Sequence, residues 1–267
     1  MFDIGGLFAG GKQLVGLDIG SSWIKLAEIQ DTSKGRVLSR FSRIPLAKGI
    51  IVDGVVAEPD LLAKALKQLF KQSKCKRKKV VTSISGHAVI VKKVTIAQMD
   101  EEELRELIRD EAGKYLPFED MATVDYDCQI IGENPYNPNQ MEVLLVAAKK
   151  EIIQGYTEVI EAAGLIPVIM DVDSFALETM YEENYDFEEN DVDILVNIGA
   201  SITNLNAVKS GVSIFTRDFT LGVNSVTEAI AKNMGIPLEE AEKAKVELSD
   251  FELPRVVSIA DEGVQLV

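Results

Sequence analysis

The 267-residue sequence predicts an α/β protein of two related halves, with a small α+β unit inserted into the first. Three observations carry that expectation. Residues 13–30 read as strand, tight turn, strand, with the turn at Gly20-Ser21-Ser22. The pattern returns after Asp193: Val196-Asn197-Ile198-Gly199-Ala200-Ser201 lines up with Leu17-Asp18-Ile19-Gly20-Ser21-Ser22, and Leu205 with Leu26. Between the two copies, residues 92–164 read as strand, helix, two strands and helix, interrupting the plan of the first half.

Taken in order, Leu14, Val15, Leu17 and Ile19 lead into the first turn, and Trp23, Ile24, Leu26, Ala27 and Ile29 lead out. Residues 36–45 alternate as a third strand behind a turn at Ser33-Lys34-Gly35. Asp53-Gly54 marks a loop. Leu61, Leu62, Leu66, Leu69 and Phe70 recur at helical spacing over 58–72, with Pro59 suited to the first turn. Strands 80–84 and 88–96 flank Ser85-Gly86-His87. His87 is the only histidine and has no Cys, Asp or Glu ligand partner nearby, so it reads as structural. Asp100 caps the next helix, with Glu103 three residues on reaching back. That helix carries Leu104, Leu107, Ile108 and Tyr115 on one stripe and stops before Pro117. Strands 124–131 and 141–148 pair around a turn-rich link, and a helix over 151–163 ends at Gly164. An apolar strand, 165–170, leads to a helix over 175–181 that Asp173 or Ser174 caps. The acidic segment 182–191 is the expected boundary. The first domain is then 1–191, with core 12–91 and 165–191 around the inserted unit 92–164, and the second is 192–267.

Bulk properties narrow the function. A formal charge of −15 argues against a general affinity for nucleic acid or anionic lipid. The basic run at 71–79 is a solvated helix end followed by a turn, or a patch for an anionic partner. Cys75 and Cys128 lack metal-type spacing and no secretory signal is visible, which fits free thiols in a reducing cytoplasm. No apolar run reaches membrane-spanning length. The glycine-rich start, 1–12, reads as a frayed leader or a membrane-surface contact.

The chemistry sits in the two turns. A carboxylate at the end of a buried strand is costly without a partner, and water-coated Mg²⁺ is a suitable one for Asp18. Glycine lets backbone N–H groups approach an anion, and the Ser21 and Ser22 hydroxyls add donors. One such turn is as readily an ordinary hairpin. Two copies facing each other would grip a phosphate tail from both sides, in a cleft between halves.

These turns resemble the paired phosphate motifs of the actin-like (ribonuclease H-like) ATPase superfamily. GLDIGSSWIKLAEI, KYLPF at 114–118 and VNIGASITNL together resemble the PilM family, cytoplasmic actin-like proteins of type IV pilus assembly related to the division protein FtsA. The resemblance runs from about residue 12 to about 249. It implies an actin-like fold binding ATP and Mg²⁺. Asp18 would hold Mg²⁺ through water. Gly20, Ser21, Ser22 and Lys25 would hold the nucleotide on one side, and Asn197, Gly199, Ala200, Ser201 and Thr203 on the other. Glu242 and Lys245, at i and i+3 of one helix, would meet ribose or base, as in chaperone relatives; by themselves they read as a solvated salt bridge.

Two departures qualify the resemblance. Asn197 stands where the superfamily usually has Asp, which favours binding over fast turnover; no catalytic Gln or Glu is evident, although Asp171 or Asp173 could serve. The family also continues beyond 267 with a Gly-Gly turn against the adenine, so the second half is expected to be incomplete, and 258–267 to begin a helix. The inserted unit implies a groove against the first core that takes the cytoplasmic N-terminal peptide of PilN, with other pilus inner-membrane components as further partners. Leu104, Leu107, Ile108, Tyr115, Leu116 and Phe118 line that groove or pack the unit's own core. The leading expectation is an ATP-binding adaptor on the inner face of the inner membrane, at most a slow ATPase. Alternatives are an FtsA-like filament-former, which would self-associate, and a small-molecule kinase, which would need a committed general base.

Overall fold

The structure is a computed structural model that describes residues 14–33, 35–86, 89–188 and 191–247. The chain opens with the expected meander, β1 (Val15–Ile19), β2 (Trp23–Thr32) and β3 (Gly35–Pro45). A two-residue hairpin, β4 (Ile51–Val52) and β5 (Val55–Val56), occupies the expected loop; Asp53 and Gly54 both take positive φ, 51° and 79°, as a tight hairpin turn requires. Helix α1 (Pro59–Ser73) follows, then β6 (Lys79–Ile84) and β7 (Val89–Ala97). Helix α2 (Glu101–Tyr115) carries the predicted capping box: the Asp100 side chain accepts from Glu103 N at 2.9 Å, and Glu103 Oε2 accepts from Asp100 N at 3.2 Å. Strands β8 (Val124–Glu133) and β9 (Gln140–Lys149) lead to α3 (Lys150–Ala162), β10 (Ile166–Val172) and α4 (Asp173–Glu182). The second meander is β11 (Val192–Ile198), β12 (Thr203–Lys209) and β13 (Val212–Phe219), followed by α5 (Val223–Met234) and α6 (Leu238–Glu247).

The first sheet has strand order β10-β6-β1-β2-β3, with β10, β6 and β1 parallel and β1, β2 and β3 antiparallel. One face of it buries Val15, Leu17, Ile19, Ile24 and Leu26 beneath α1, whose Leu62, Leu66 and Leu69 are fully buried. A second sheet, β7-β9-β8, packs on α2 and forms a separate core around Leu104, Ile108, Val143 and Leu145. Helix α3 lies within the span 92–164 yet turns Ile152, Tyr156, Val159 and Ile160 into the first core. By packing, the inserted unit is therefore β7 to β9 with α2. Its core also takes Leu116, while Leu107, Tyr115 and Phe118 are half-buried and pack against it, so Leu104, Ile108 and Leu116 of the six candidate groove residues are core residues.

The third sheet is β11-β12-β13. The boundary segment before it is tied by aromatic contacts: Tyr181 stacks on Tyr185 at 4.9 Å between centroids, Phe187 lies 5.2 Å from Tyr181, and the Tyr181 hydroxyl donates to Asp193 Oδ1 at 3.1 Å. The expected cap of α4 is not formed. Its N-cap position is Val172, Asp173 and Ser174 lie inside the first turn, and the Asp173 carboxylate accepts from Ser83 Oγ at 2.5 Å instead. A half-buried carboxylate bonds a neighbouring hydroxyl when the helix starts one residue too early for it to cap. His87, the start 1–12 and the helix expected over 258–267 lie outside the described residues. Among those described, no helix is long and apolar enough to cross a membrane.

Candidate functional site

The two turns are the same object built twice. In the first, Gly20 N donates to Trp23 O at 3.0 Å; in the second, Gly199 N donates to Ile202 O at 2.9 Å. The strand registers match as well: Asp18 faces Lys25 across β1 and β2, and Asn197 faces Asn204 across β11 and β12. Glycine suits the closeness of the turn, strictly so in the second copy. A Cβ on Gly20 would lie 3.1 Å from Trp23 O, and one on Gly199 would lie 2.7 Å from Ile202 O.

The turns meet. Ser21 Oγ donates to Ser201 Oγ at 2.9 Å, across 180 residues of sequence. Ile202 reaches further into the first half, so that a Cβ on Gly86 would touch its Cδ1 at 3.4 Å. On the exposed surface Lys48 Nζ and Glu228 Oε1 pair at 2.7 Å and join the halves again. The second turn is held from behind by α5. Val223 N donates to Gly199 O at 3.0 Å, Asn224 N to Ala200 O at 2.9 Å, and Asn224 Nδ2 to Ser201 Oγ at 3.1 Å. A Cβ on Gly222 would sit 2.4 Å from Ala200 O and 2.6 Å from Gly199 O, so the helix reaches the turn only because residue 222 has no side chain. Thr203 Oγ1 donates to Leu221 O at 2.7 Å, bracing the same junction. The first turn is braced more simply, by Leu46 N donating to Ser22 O at 2.8 Å.

The polar groups around the turns fall into distinct roles. Asp18 Oδ2 pairs with Lys25 Nζ at 2.7 Å, and both side chains are about half exposed, so the pair adds little stability and both remain available to a ligand. Asp173 lies deeper. Burial raises its carboxyl above the usual range, hydrogen bonds from Ser83 and Ser85 oppose the shift, and the nearby charges of Asp18 and Asp218 reinforce it. Asp171 is raised for the same first reason and accepts from its own neighbour, Val172 N, at 2.7 Å. Burial, then Asp173 and Asp18, push the Tyr156 phenol up as well, while its hydroxyl donates to Gly54 O at 3.2 Å. Glu242 and Lys245 form a 2.7 Å ion pair closed on Thr227 of α5: Thr227 Oγ1 donates to Glu242 Oε2 at 2.7 Å, and Lys245 Nζ donates to Thr227 Oγ1 at 2.8 Å. They are thus fixed to the helix whose first turn holds Ala200 and Ser201.

ATP and Mg²⁺ fit this donor set. Paired glycine turns with facing hydroxyls offer O–H groups to phosphate oxygens from two sides, together with the turn N–H groups other than those of Gly20 and Gly199, which close the turns on Trp23 O and Ile202 O. Among the described residues no three His, Cys, Asp or Glu side chains converge to hold a metal ion; the half-exposed Asp18 carboxylate is the kind of oxygen acceptor that a hydrated Mg²⁺ beside phosphates uses. Cys75 and Cys128 are free thiols. Sequence reasoning missed Gly222, Asn224, Asn204 and Asp218. The glycine just before the apolar periodicity of α5 was a readable signal; the polar partners on β12 and β13 had none.

A second feature lies beside the cleft. A largely apolar groove of about 470 Å³ runs between β10 and the inserted unit, lined by Val168 to Val172, Phe175, Ile153, Val146 and Asp125 to Asp127. Both β10 and β8 are edge strands of their sheets, so the groove is flanked by backbone edges that carry unused hydrogen-bonding groups.

Comparison with known proteins agrees with this architecture. Residues 16–255 match the family model for type IV pilus assembly protein PilM. The structure is similar to that of a PilM-PilN type IV pilus biogenesis complex, with a TM-score of 0.79 and 30% identity over 94% of this chain and 73% of that one. It is also similar to the ethanolamine utilization protein EutJ from Carboxydothermus hydrogenoformans, with a TM-score of 0.54 and 17% identity over 92% of this chain and 65% of that one. The fold is the actin-like ATPase fold.

Proposed function

The chain belongs to the family of type IV pilus assembly protein PilM, and from that premise we propose that it is a nucleotide-binding adaptor that joins an ATP-dependent conformation to the peptide of a membrane partner. The observation that carries the nucleotide half is the contact of two equivalent glycine turns through Ser21 and Ser201. In this reading the hydroxyls of Ser21, Ser22 and Ser201 take the phosphates, with the backbone N–H groups that are not spent on closing the two turns. Lys25 exchanges its exposed pairing with Asp18 for a phosphate oxygen, and the freed Asp18 carboxylate accepts from metal-bound water. Bound Mg²⁺ would neutralise phosphate charge. The Glu242–Lys245 pair braces α5 on the nucleoside side. Hydrolysis is slow or absent, because Asp173, the carboxyl that senses Asp18 and Asp218, is held by burial and by the hydrogen bond from Ser83, while Asp171 faces the groove beside β10.

The partner half rests on the groove. An extended segment fits between two sheet edges by adding main-chain hydrogen bonds to one of them, with its side chains alternating into apolar pockets. Asp125, Asp127 and Asp171 at the rim favour a segment with a basic residue. The resemblance to a PilM-PilN complex supports the cytoplasmic N-terminal peptide of PilN as that segment, which would hold the protein at the inner face of the inner membrane.

Calorimetry tests both halves. ATP with Mg²⁺ is expected to bind, and Asp18→Ala to weaken it about tenfold, the loss of one charge-assisted hydrogen bond. Unchanged affinity in that variant would remove Asp18 from the site. Titration with the PilN peptide is expected to saturate at one site, and a folded chain that ignores the peptide would refute the adaptor reading.

A further inference from the structure

The corresponding rows of the two halves carry their charges differently. In the first half the row across β1, β2 and β3 is Asp18, Lys25, Arg43; in the second, across β11, β12 and β13, it is Asn197, Asn204, Asp218. The carboxylate of the second copy stands two strands away from the turn. It is joined to the turn strand by a continuous hydrogen-bonded chain. Gly86 N donates to Asp218 Oδ2 at 2.7 Å, Asn204 Nδ2 donates to Asp218 Oδ1 at 2.8 Å, and Asn197 Nδ2 donates to Asn204 Oδ1 at 3.1 Å.

We infer that Asp218 is a positioning residue that sets the direction of the Asn197 amide and so keeps an oxygen acceptor at the position of the missing carboxylate. The reason is polarity. An ionised carboxylate only accepts, and the fixed backbone N–H of Gly86 already occupies one of its oxygens as a donor. Asn204 must therefore present Nδ2 to Asp218, which leaves Oδ1 as the only end it can offer to Asn197. Asn204 is 2% exposed, so its amide has no water with which to choose otherwise. Asn197 in turn gives Nδ2 inward and is left with Oδ1 on its exposed side, two residues before Gly199. An amide oxygen accepts a hydrogen bond from metal-bound water as a carboxylate oxygen does, without adding charge beside Asp18 and Asp173. The chain also ends on Gly86, where β6 leaves the first core for the inserted unit, so the turn strand and that junction share one hydrogen-bonded path.

This inference rests on the nucleotide reading, and the test separates the two. In the unliganded chain, the side-chain NH₂ protons of Asn197 and Asn204 are expected to exchange with solvent at least about tenfold more slowly than those of exposed asparagines, by NMR. Exchange as fast as theirs would overturn the relay, whatever the protein binds. ATP affinity is then measured with Mg²⁺ and with EDTA. In Asp218→Asn the Mg²⁺-dependent gain is expected to fall about tenfold, with the EDTA value unchanged. The double variant Asn197→Asp/Asp218→Asn, which returns the carboxylate to the turn strand at constant charge, is expected to recover it. A folded Asp218→Asn chain that keeps the full Mg²⁺ gain, or a double variant that recovers none of it, would overturn the inference. A wild-type chain that binds no ATP in either buffer would instead overturn the nucleotide reading and leave amide exchange to decide the relay.

Discussion

Gly222→Ala and Gly155→Ala are the same chemical change with opposite expected outcomes. At residue 222 the added methyl would lie 2.4 Å from Ala200 O and 2.6 Å from Gly199 O, both rigid turn backbone. The start of α5 must withdraw, which lengthens or breaks the bonds from Val223 N and Asn224 N to those two carbonyls. Two backbone hydrogen bonds contribute about 2 kcal/mol together, and forced overpacking costs about 1 kcal/mol or more, so a loss of about 3 kcal/mol is expected. At residue 155, inside α3, a Cβ meets nothing within 4 Å. There alanine removes unfolded-chain freedom and is expected to stabilise by about 0.5 to 1 kcal/mol. Urea unfolding followed by circular dichroism measures both. Fluorescence alone would not serve, because Trp23, the single tryptophan, belongs to the first half. Gly222→Ala should also weaken ATP binding, since the second turn loses its backing. A Gly222→Ala protein within 0.5 kcal/mol of wild type, or a Gly155→Ala protein destabilised by more than about 1 kcal/mol, would refute the packing argument.

Three other outcomes are expected. Because burial holds the folded Asp173 carboxyl above its unfolded value, the folded state binds that proton more tightly, and the group's contribution to stability is lost as pH rises through the folded pKa; the stability of Asp173→Asn relative to wild type should therefore increase as pH rises from about 4, and a flat difference would contradict it. Val168→Lys puts a charge on the exposed part of the β10 edge and should reduce affinity for the PilN peptide more than tenfold, whereas Val246→Lys, 70% exposed on α6, should leave titration curves unchanged. Glu28 is buried and receives Arg40 Nε at 3.0 Å and Arg77 Nε at 2.9 Å; Glu28→Ala should cost about 3 kcal/mol in chemical denaturation, the lower end for a broken buried pair because Arg40 keeps some access to water.

Much of this was legible in the chain because it depends on local rules. The Asp100 capping box, the Gly164 stop and the apolar spacing of α1 are set by residues within a few positions of one another, and each formed where expected, except that Leu61 of the α1 series is exposed. The repeat was legible for the same reason: two hairpins closed by a glycine N–H three residues from its acceptor must repeat glycine at a fixed place. The start of α4 was misread because Asp173 looks like a cap in sequence and becomes a hydrogen-bond partner of Ser83 only when β6 and β10 lie side by side. Helix α3 follows the inserted strands in sequence, yet its apolar stripe finds the first core, a choice that no period of 3.6 records.

The two turns were determined by sequence alone, since a glycine followed by small residues between two apolar strands specifies a tight backbone cradle locally. That the cradles face each other through Ser21 and Ser201 was decided by the tertiary structure, 180 residues of chain having to return before the contact exists. The second carboxylate is the sharpest case. Sequence registers Asn197 as a loss, because charge is counted position by position. Three-dimensional pairing sets Asp218 two strands away and links it to Asn197 through a buried amide, because strands bring together residues by register and not by order along the chain.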